Sequence, residues 1–248
     1  MSGSGSIAAG ATTGMADALR VTYEAVVEQI IEHDRTTRSL WLRLPADRPL
    51  RFVPGQFISL QLPAGGQTLT RAYSIASDPE TADCLELCLD LVPDGLGSQY
   101  LFSLPLGARI HFTGPWGAFT LSAPPAAEVV FLADATGIVP IRPMLRRVLR
   151  AEPGFPVRLH HRAPAAAGHL YSDEWQGWQR TCPRFEFDAL SADSASALLA
   201  LTRDRYVNGD GDRSRHFYVC GVGDIVTELR DLLRGAGYAR RAVQYEKW

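Results

Sequence analysis

The 248 residues contain only four cysteines, Cys84, Cys88, Cys182 and Cys220, and no CxxC pair. That scarcity excludes a disulfide scaffold and the usual ligand spacing of a zinc or iron–sulfur site, so no metal is expected. No apolar run approaches the roughly 20 residues that a membrane-spanning helix needs, and the N-terminus lacks the basic and apolar regions of a signal peptide. A soluble, cytoplasmic chain without a membrane span is therefore expected. Charge of one sign is lacking too: 25 Lys and Arg against 27 Asp and Glu leave a formal −2, which offers no general attraction to nucleic acid or anionic membrane. What is present is 46% apolar residues, enough for one large core or two ordinary ones.

The chain changes rhythm along its length. Residues 1–18 are small, polar and glycine-rich, and are expected to form a disordered tail, with Met15 an alternative start. From 19 to 122 short β-rich segments (RVTYEAVVEQIIEH, RSLWLRLP, QFISLQLP, RAYSIAS, CLELCLDLV, ARIHFTGP, AFTL) alternate with turn-rich ones, and only GSQYLFSL reads as a brief helix. That spacing predicts a closed antiparallel barrel or sandwich. SAPPAA, 122–127, reads as a hinge. From 128 to 248 strand-like segments alternate with helical ones, as in EVVFLAD before IRPMLRRVLRA and HFYVCG before VTELRDLLRGAG. Such alternation predicts a parallel sheet covered by helices. The expected fold is thus a β-barrel domain followed by an α/β domain.

Three stretches suit chemistry on a phosphorylated ligand. In FLADATGIVPIRPML (131–145) a strand runs through a turn into a helix, exposing backbone N–H groups at the positive end of the helix dipole; Gly137 allows close approach and Thr136 offers a hydroxyl. In RAYSIAS, Arg71 can neutralise phosphate, Tyr73 can stack on a ring and Ser74 can hydrogen-bond its edge. DGLGSQYL adds a glycine turn before a helix beginning near Ser98. Alone, DGLGSQYL is equally compatible with an ordinary N-capped helix, RAYSIAS is compatible with a strand end bearing a surface Arg, and a strand–turn–helix like that of 131–145 is more often structural.

Taken in order, RAYS, GLGSQYL, GPWGAFTL, ATGIVPIRPML, YVCG and the terminal YEKW resemble the ferredoxin–NADP reductase superfamily, which includes flavodoxin reductases and the reductase components of oxygenases. The resemblance spans about residues 20 to 248. It implies an FAD-binding β-barrel domain and an NAD(P)-binding α/β domain, together an NAD(P)H-dependent flavoprotein reductase. It implies that Arg71 binds the FAD pyrophosphate, Tyr73 packs on the isoalloxazine, Ser74 lies near the flavin N5, and Ser98 with neighbouring backbone at Gly97 holds FAD phosphates. Thr136 and Gly137 would receive the NAD(P)H pyrophosphate, with Pro140 shaping the helix start. Cys220 and Gly221 would lie against the nicotinamide, Glu246 would reach towards the flavin edge, and Trp248 would cover the flavin face as a displaceable gate.

The partner implied is a separate one-electron carrier, a ferredoxin, flavodoxin or oxygenase component, served by a monomeric reductase. Direct reduction of a ferric chelate or free flavin is an alternative, and so is a flavin-binding regulatory subunit with a weakened coenzyme site. The last arises because ADATGIVP departs from the family's AGGTGIAP: Ala135 adds a Cβ and Asp134 a charge where phosphates are expected. Capping of the helix by Asp134, or its neutralisation by Arg142, would remove the difficulty. Arg162, in HHRAP, stands where the family often places an arginine near the adenosine ribose, whereas DALSAD lacks the Arg common in NADPH-selective members, which favours NADH unless Arg203, Arg205 or Arg213 supplies the charge. His160 and His161 read as buried structural residues, WQGWQ (175–179) as an amphipathic helix and GDGDRSR (209–215) as a solvated loop.

Overall fold

The computed structural model describes residues 21–64, 66–81, 83–121, 127–151 and 154–248. The N-terminal tail and most of the SAPPAA hinge lie outside the described residues. The first half forms six strands, β1 (Thr22–Glu32), β2 (Thr37–Arg43), β3 (Phe57–Ala64), β4 (Gln67–Ser74), β5 (Cys84–Asp90) and β6 (Arg109–Trp116), with one helix, α1 (Leu96–Ser103). Every paired strand is antiparallel, in the order β4-β3-β6-β1-β2-β5. The two edges approach each other just past β4, where Ala76 N–H donates to Glu86 O at 2.8 Å. Alternate residues point inward and build one core from Leu40, Leu42, Ile58, Leu60, Leu85, Leu87 and Phe112.

AFTL, expected as a strand, is irregular. Phe119 and Leu121 leave the barrel and join the core of the second half, where Phe131, Met144 and Tyr218 also pack. That half is an all-parallel five-stranded sheet in the order β11-β10-β7-β8-β9. The strands are β7 (Val129–Asp134), β8 (Val157–Ala163), β9 (Phe185–Ser191), β10 (His216–Gly221) and β11 (Val243–Lys247). Helices α2 (Ile138–Arg150), α3 (Ser172–Thr181), α4 (Ser196–Tyr206) and α5 (Ile225–Gly235) connect them. The C-terminal segment, not foreseen as a strand, thus completes the sheet beside β10.

Because β8 and β10 flank β7 on opposite sides, the chain leaves β7 at a topological switch point, where open α/β sheets bind their ligands. The barrel packs against this edge through β5. In LELCLDL the leucines face the barrel core, while Glu86, Cys88 and Asp90 face the second domain. Glu86, 2% exposed, receives Arg142 of α2, and Asp90 accepts a hydrogen bond from the Thr136 hydroxyl at 2.8 Å. Arg150 of α2 adds an ion pair to Asp78.

Candidate active site

A cleft of about 750 Å³ opens between the two domains. It gathers Arg71, Tyr73 and Ser74 from β4, Gly97 and Ser98 from α1, Thr136 from the turn after β7, and Glu246 and Trp248 from the chain end. Residues 175 apart in sequence meet here because β4 borders the barrel's open edge and β11 borders the sheet. Val92, Leu96 and Val222 line the mouth with exposed apolar surface.

Arg71 is exposed and donates to the Thr70 carbonyl, with no carboxylate partner among the described residues. Gly97 lies close behind it: a Cβ there would stand 3.2 Å from Arg71 Cγ and 3.3 Å from the Tyr73 hydroxyl. The first N–H groups of α1 lack intrahelical partners by construction, and no side chain caps them. Ser98 accepts from Val92 N–H at 3.0 Å and donates to Gly95 O at 3.0 Å, so its hydroxyl fastens the turn and leaves backbone donors to face the cleft.

Two buried polar atoms in this cleft have no hydrogen-bond partner: Ser74 Oγ and Glu246 Oε2. Orphaned buried groups are costly, about 1–3 kcal/mol each, and call for an explanation. A planar phosphorylated cofactor supplies one, since a free cation, an aromatic ring, helix N–H groups and an orphan hydroxyl are the donor set that flavin nucleotides use. The residues present therefore fit FAD. Burial also pushes the Glu246 carboxyl up to about 7.

Cys220, Gly221 and Gly137 do not line the cleft; they make the packing beneath it. A Cβ on Gly137 would lie 2.2 Å from Cys220 O, and one on Gly221 would lie 2.6 Å from the Asp134 Cβ. Both glycines are required for the ends of β7 and β10 to meet. The Cys220 thiol is 1% exposed, and burial holds it well above its ordinary value. Trp248 remains 43% exposed, tethered by its N–H to Gly221 O at 3.3 Å.

The turn after β7 differs from expectation in its charge balance. Asp134 is 3% exposed, and its Oδ1 lies 2.6 Å from Arg162 Nε and 2.5 Å from an Arg162 terminal nitrogen. Burial pushes the carboxyl up and the guanidinium pulls it back down. Neutralisation comes from Arg162, not from Arg142, which Glu86 and Glu174 occupy. No side-chain capping bond is made by Asp134. Arg162 is 8% exposed and lines neither cleft.

Ala135 holds the left-handed φ of 51°, at a cost of roughly 1 kcal/mol. Its carbonyl accepts from His161 Nε2 at 2.9 Å, which fixes the turn. Burial lowers the His161 pKa to about 3, so the ring is neutral. His160 is fully buried and bonds the Tyr206 hydroxyl at 2.6 Å; both histidines are structural. Asp90 and Val139, which border the cleft, escaped the sequence reading. The alternation of LELCLDL signals a strand but not that its polar face is covered.

The oxidoreductase FAD-binding domain family matches residues 24–121, and the oxidoreductase NAD-binding domain family matches residues 131–231. The chain is 33% identical over 208 residues to ferredoxin–NADP reductase B of Sorangium cellulosum, covering 79% of this chain and 85% of that protein. It is 26% identical to the toluate 1,2-dioxygenase electron transfer component of Pseudomonas putida, across 91% of this chain and 67% of that one. It spans about half the length of several monooxygenase reductase components that it also matches. A ferredoxin NADP+ reductase from Neisseria gonorrhoeae, solved with bound FAD and NADP, shares the fold with a TM-score of 0.76 at 21% identity, over 91% of this chain and 98% of that chain.

Proposed function

The chain belongs to the ferredoxin reductase-like family of FAD- and NAD(P)H-dependent oxidoreductases, and from that premise we propose that it passes electrons singly to a separate carrier protein. That carrier is a ferredoxin, a flavodoxin or an oxygenase component. The observation that supports this most is the interdomain cleft with its orphaned Ser74 hydroxyl, unpaired Arg71 and uncapped α1. FAD, when bound, supplies the exchange between hydride transfer and one-electron transfer.

The chain's own residues bind and orient. Arg71 and the α1 N–H groups take phosphate charge, Tyr73 offers its ring to a planar cofactor, and Ser74 donates a hydrogen bond to the cofactor's edge. Backbone N–H groups at Thr136 and the N-terminus of α2 receive the coenzyme pyrophosphate, the Thr136 hydroxyl being turned to Asp90. Trp248 shields the cleft from water and yields to an incoming ring, while Glu246 holds a proton near neutral pH at its buried carboxyl. The carrier is sought outside these 248 residues because they contain no CxxC pair. Relatives named as a ferredoxin reductase and as a dioxygenase electron transfer component favour the same class of acceptor.

A regulatory subunit with a decayed coenzyme site is disfavoured, since the Asp134 charge on which that alternative rested is matched by Arg162. No described helix is long and apolar enough to cross a membrane, and we read the chain as a cytoplasmic monomer, to be checked by fractionation and sedimentation. The decisive experiment mixes FAD-reconstituted protein anaerobically with NADH or NADPH at millimolar concentration. Bleaching of the flavin at about 450 nm is expected; failure of both coenzymes overturns the reading.

A further inference from the structure

The carboxyl ends of β7 and β8 open on a second cleft, of about 480 Å³, beside the β7–β10 switch point and on the carboxyl side of the sheet, where dinucleotides bind in open α/β folds. It touches the first cleft at Asp90 and Thr136, which line both. Resting on the reductase reading above, we propose that this cleft takes NADH in preference to NADPH. Asp134 withholds the Arg162 guanidinium from a ribose 2′-phosphate, and the cleft's own wall is acidic.

The two coenzymes differ only by that phosphate, which carries nearly two negative charges and is held in proteins by arginine forks or lysines. Among the described residues the lining has neither. Its charged members are Asp34, Asp90 and Asp173. Asp34 accepts the Thr36 and Thr37 N–H groups at 2.7 and 2.8 Å, and Asp90 accepts the Thr37 and Thr136 hydroxyls. These donors are neutral and do not cancel the carboxylates' charge. The histidines of the wall, His33, His161 and His169, are all pushed down by burial and stay neutral near pH 7.

The loop after β8, Pro164 to Gly168, contains no basic side chain. Behind it Asp193 accepts Ala165 N–H at 3.0 Å, adding another carboxylate. Arg162 is the strand neighbour of Asp134 at the carboxyl end of β8, while Arg205 pairs with Glu186 and Asp188 and Arg213 bonds the Ala236 and Asp210 carbonyls. Both of the Arg162 contacts run to the one Asp134 oxygen. A pyrophosphate, common to both coenzymes, can still bind at the N-terminus of α2; the added phosphate meets only like charge.

Calorimetric titration of the FAD-reconstituted protein with ADP-ribose and with 2′-phospho-ADP-ribose tests this without turnover. The unphosphorylated fragment is expected to bind at least about tenfold more tightly, with NADH favoured over NADPH in flavin reduction by a similar factor. Equal or tighter binding of the 2′-phospho fragment overturns the selectivity while leaving the reductase reading intact. Failure of both fragments to bind, with neither coenzyme bleaching the flavin, overturns the reductase reading and the selectivity with it. Asp134→Asn releases the guanidinium, and the ratio should narrow at least about fivefold through tighter 2′-phospho binding; an unchanged ratio refutes the role of Asp134. Should that variant fail to fold, the double substitution Asp134→Leu/Arg162→Met removes both charges together. Its ratio should stay within about threefold of the parent, and a selective loss of the 2′-phospho fragment would instead identify Arg162 as its clamp.

Discussion

Replacing Glu86 with Gln tests how the two domains are held in register around the cleft. Glu86 is 2% exposed and accepts from Ser39 Oγ at 2.7 Å and Tyr171 Oη at 2.9 Å, and pairs with Arg142. Gln keeps the shape and one acceptor oxygen, so the change removes charge more than volume. Arg142 is itself 8% exposed and stacks 3.8 Å over the Tyr171 ring, with Glu174 Oε2 at 2.9 Å as its remaining counter-ion.

Breaking one side of a buried pair typically costs about 3–5 kcal/mol, most of it the stranded charge. Because Glu174 still compensates part of Arg142, the lower end, about 3 kcal/mol, is expected. With a urea slope of about 3 kcal/mol per M for a chain of this size, the midpoint should fall by about 1 M. Urea unfolding followed by far-ultraviolet circular dichroism measures it. The double variant Glu86→Leu/Arg142→Met removes both charges and should recover to within about 1 kcal/mol of the parent. A loss below about 1 kcal/mol for Glu86→Gln alone would refute the claim that this pair holds the interface.

The remaining predictions concern the site itself. Gly137→Ala forces a Cβ into the Cys220 backbone at 2.2 Å, and should cost at least about 2 kcal/mol by overpacking, seen as a lowered melting temperature; an unchanged value contradicts the close approach of β7 and β10. Ser74→Ala deletes a buried orphan hydroxyl, so the apoprotein should be unchanged or more stable by up to about 1 kcal/mol while flavin reduction slows; destabilised apoprotein with normal reduction refutes the cofactor-facing role. Burial holds Glu246 up at about 7, whereas an unfolded glutamate titrates near about 4.3. The folded state therefore binds the proton more readily, and this stability is full below the unfolded value and lost as pH rises through about 7. Glu246→Gln should flatten that decline in apoprotein melting between roughly pH 5 and 8, and an undiminished slope assigns it to other groups.

What sequence made legible follows from where the chemistry is local. RAYS and GLGSQYL carry their candidate groups within one strand end and one helix start, so the residues could be named, and Arg71, Tyr73, Ser74, Gly97 and Ser98 line one cleft. Pairings at long range were not legible. Asp134 meets Arg162 28 positions away and Glu86 meets Arg142 56 away, and nothing in composition or period marks which arginine serves which carboxylate. AFTL failed as a strand because Phe119 and Leu121 find a better apolar surface on the second domain than in the barrel. VQYEK was passed over because one short segment at a chain end carries too weak a period to stand apart from a tail, and it is a strand only because β10 offers an open edge.

The same pairings tie selectivity to architecture. An arginine at the end of a parallel strand sits where a dinucleotide arrives, and left unpaired it would be a ready phosphate ligand. Here the register of β7 on β8 sets Asp134 beside Arg162, so the cation becomes structural before any coenzyme reaches it. On the other side of the turn, Thr136 is held by Asp90, a residue that the barrel presents on the strand face carrying Glu86. Loss of the Glu86–Arg142 pair should therefore loosen Asp90 and Thr136 at the border of both clefts, so that a change remote from either ligand weakens the binding of each.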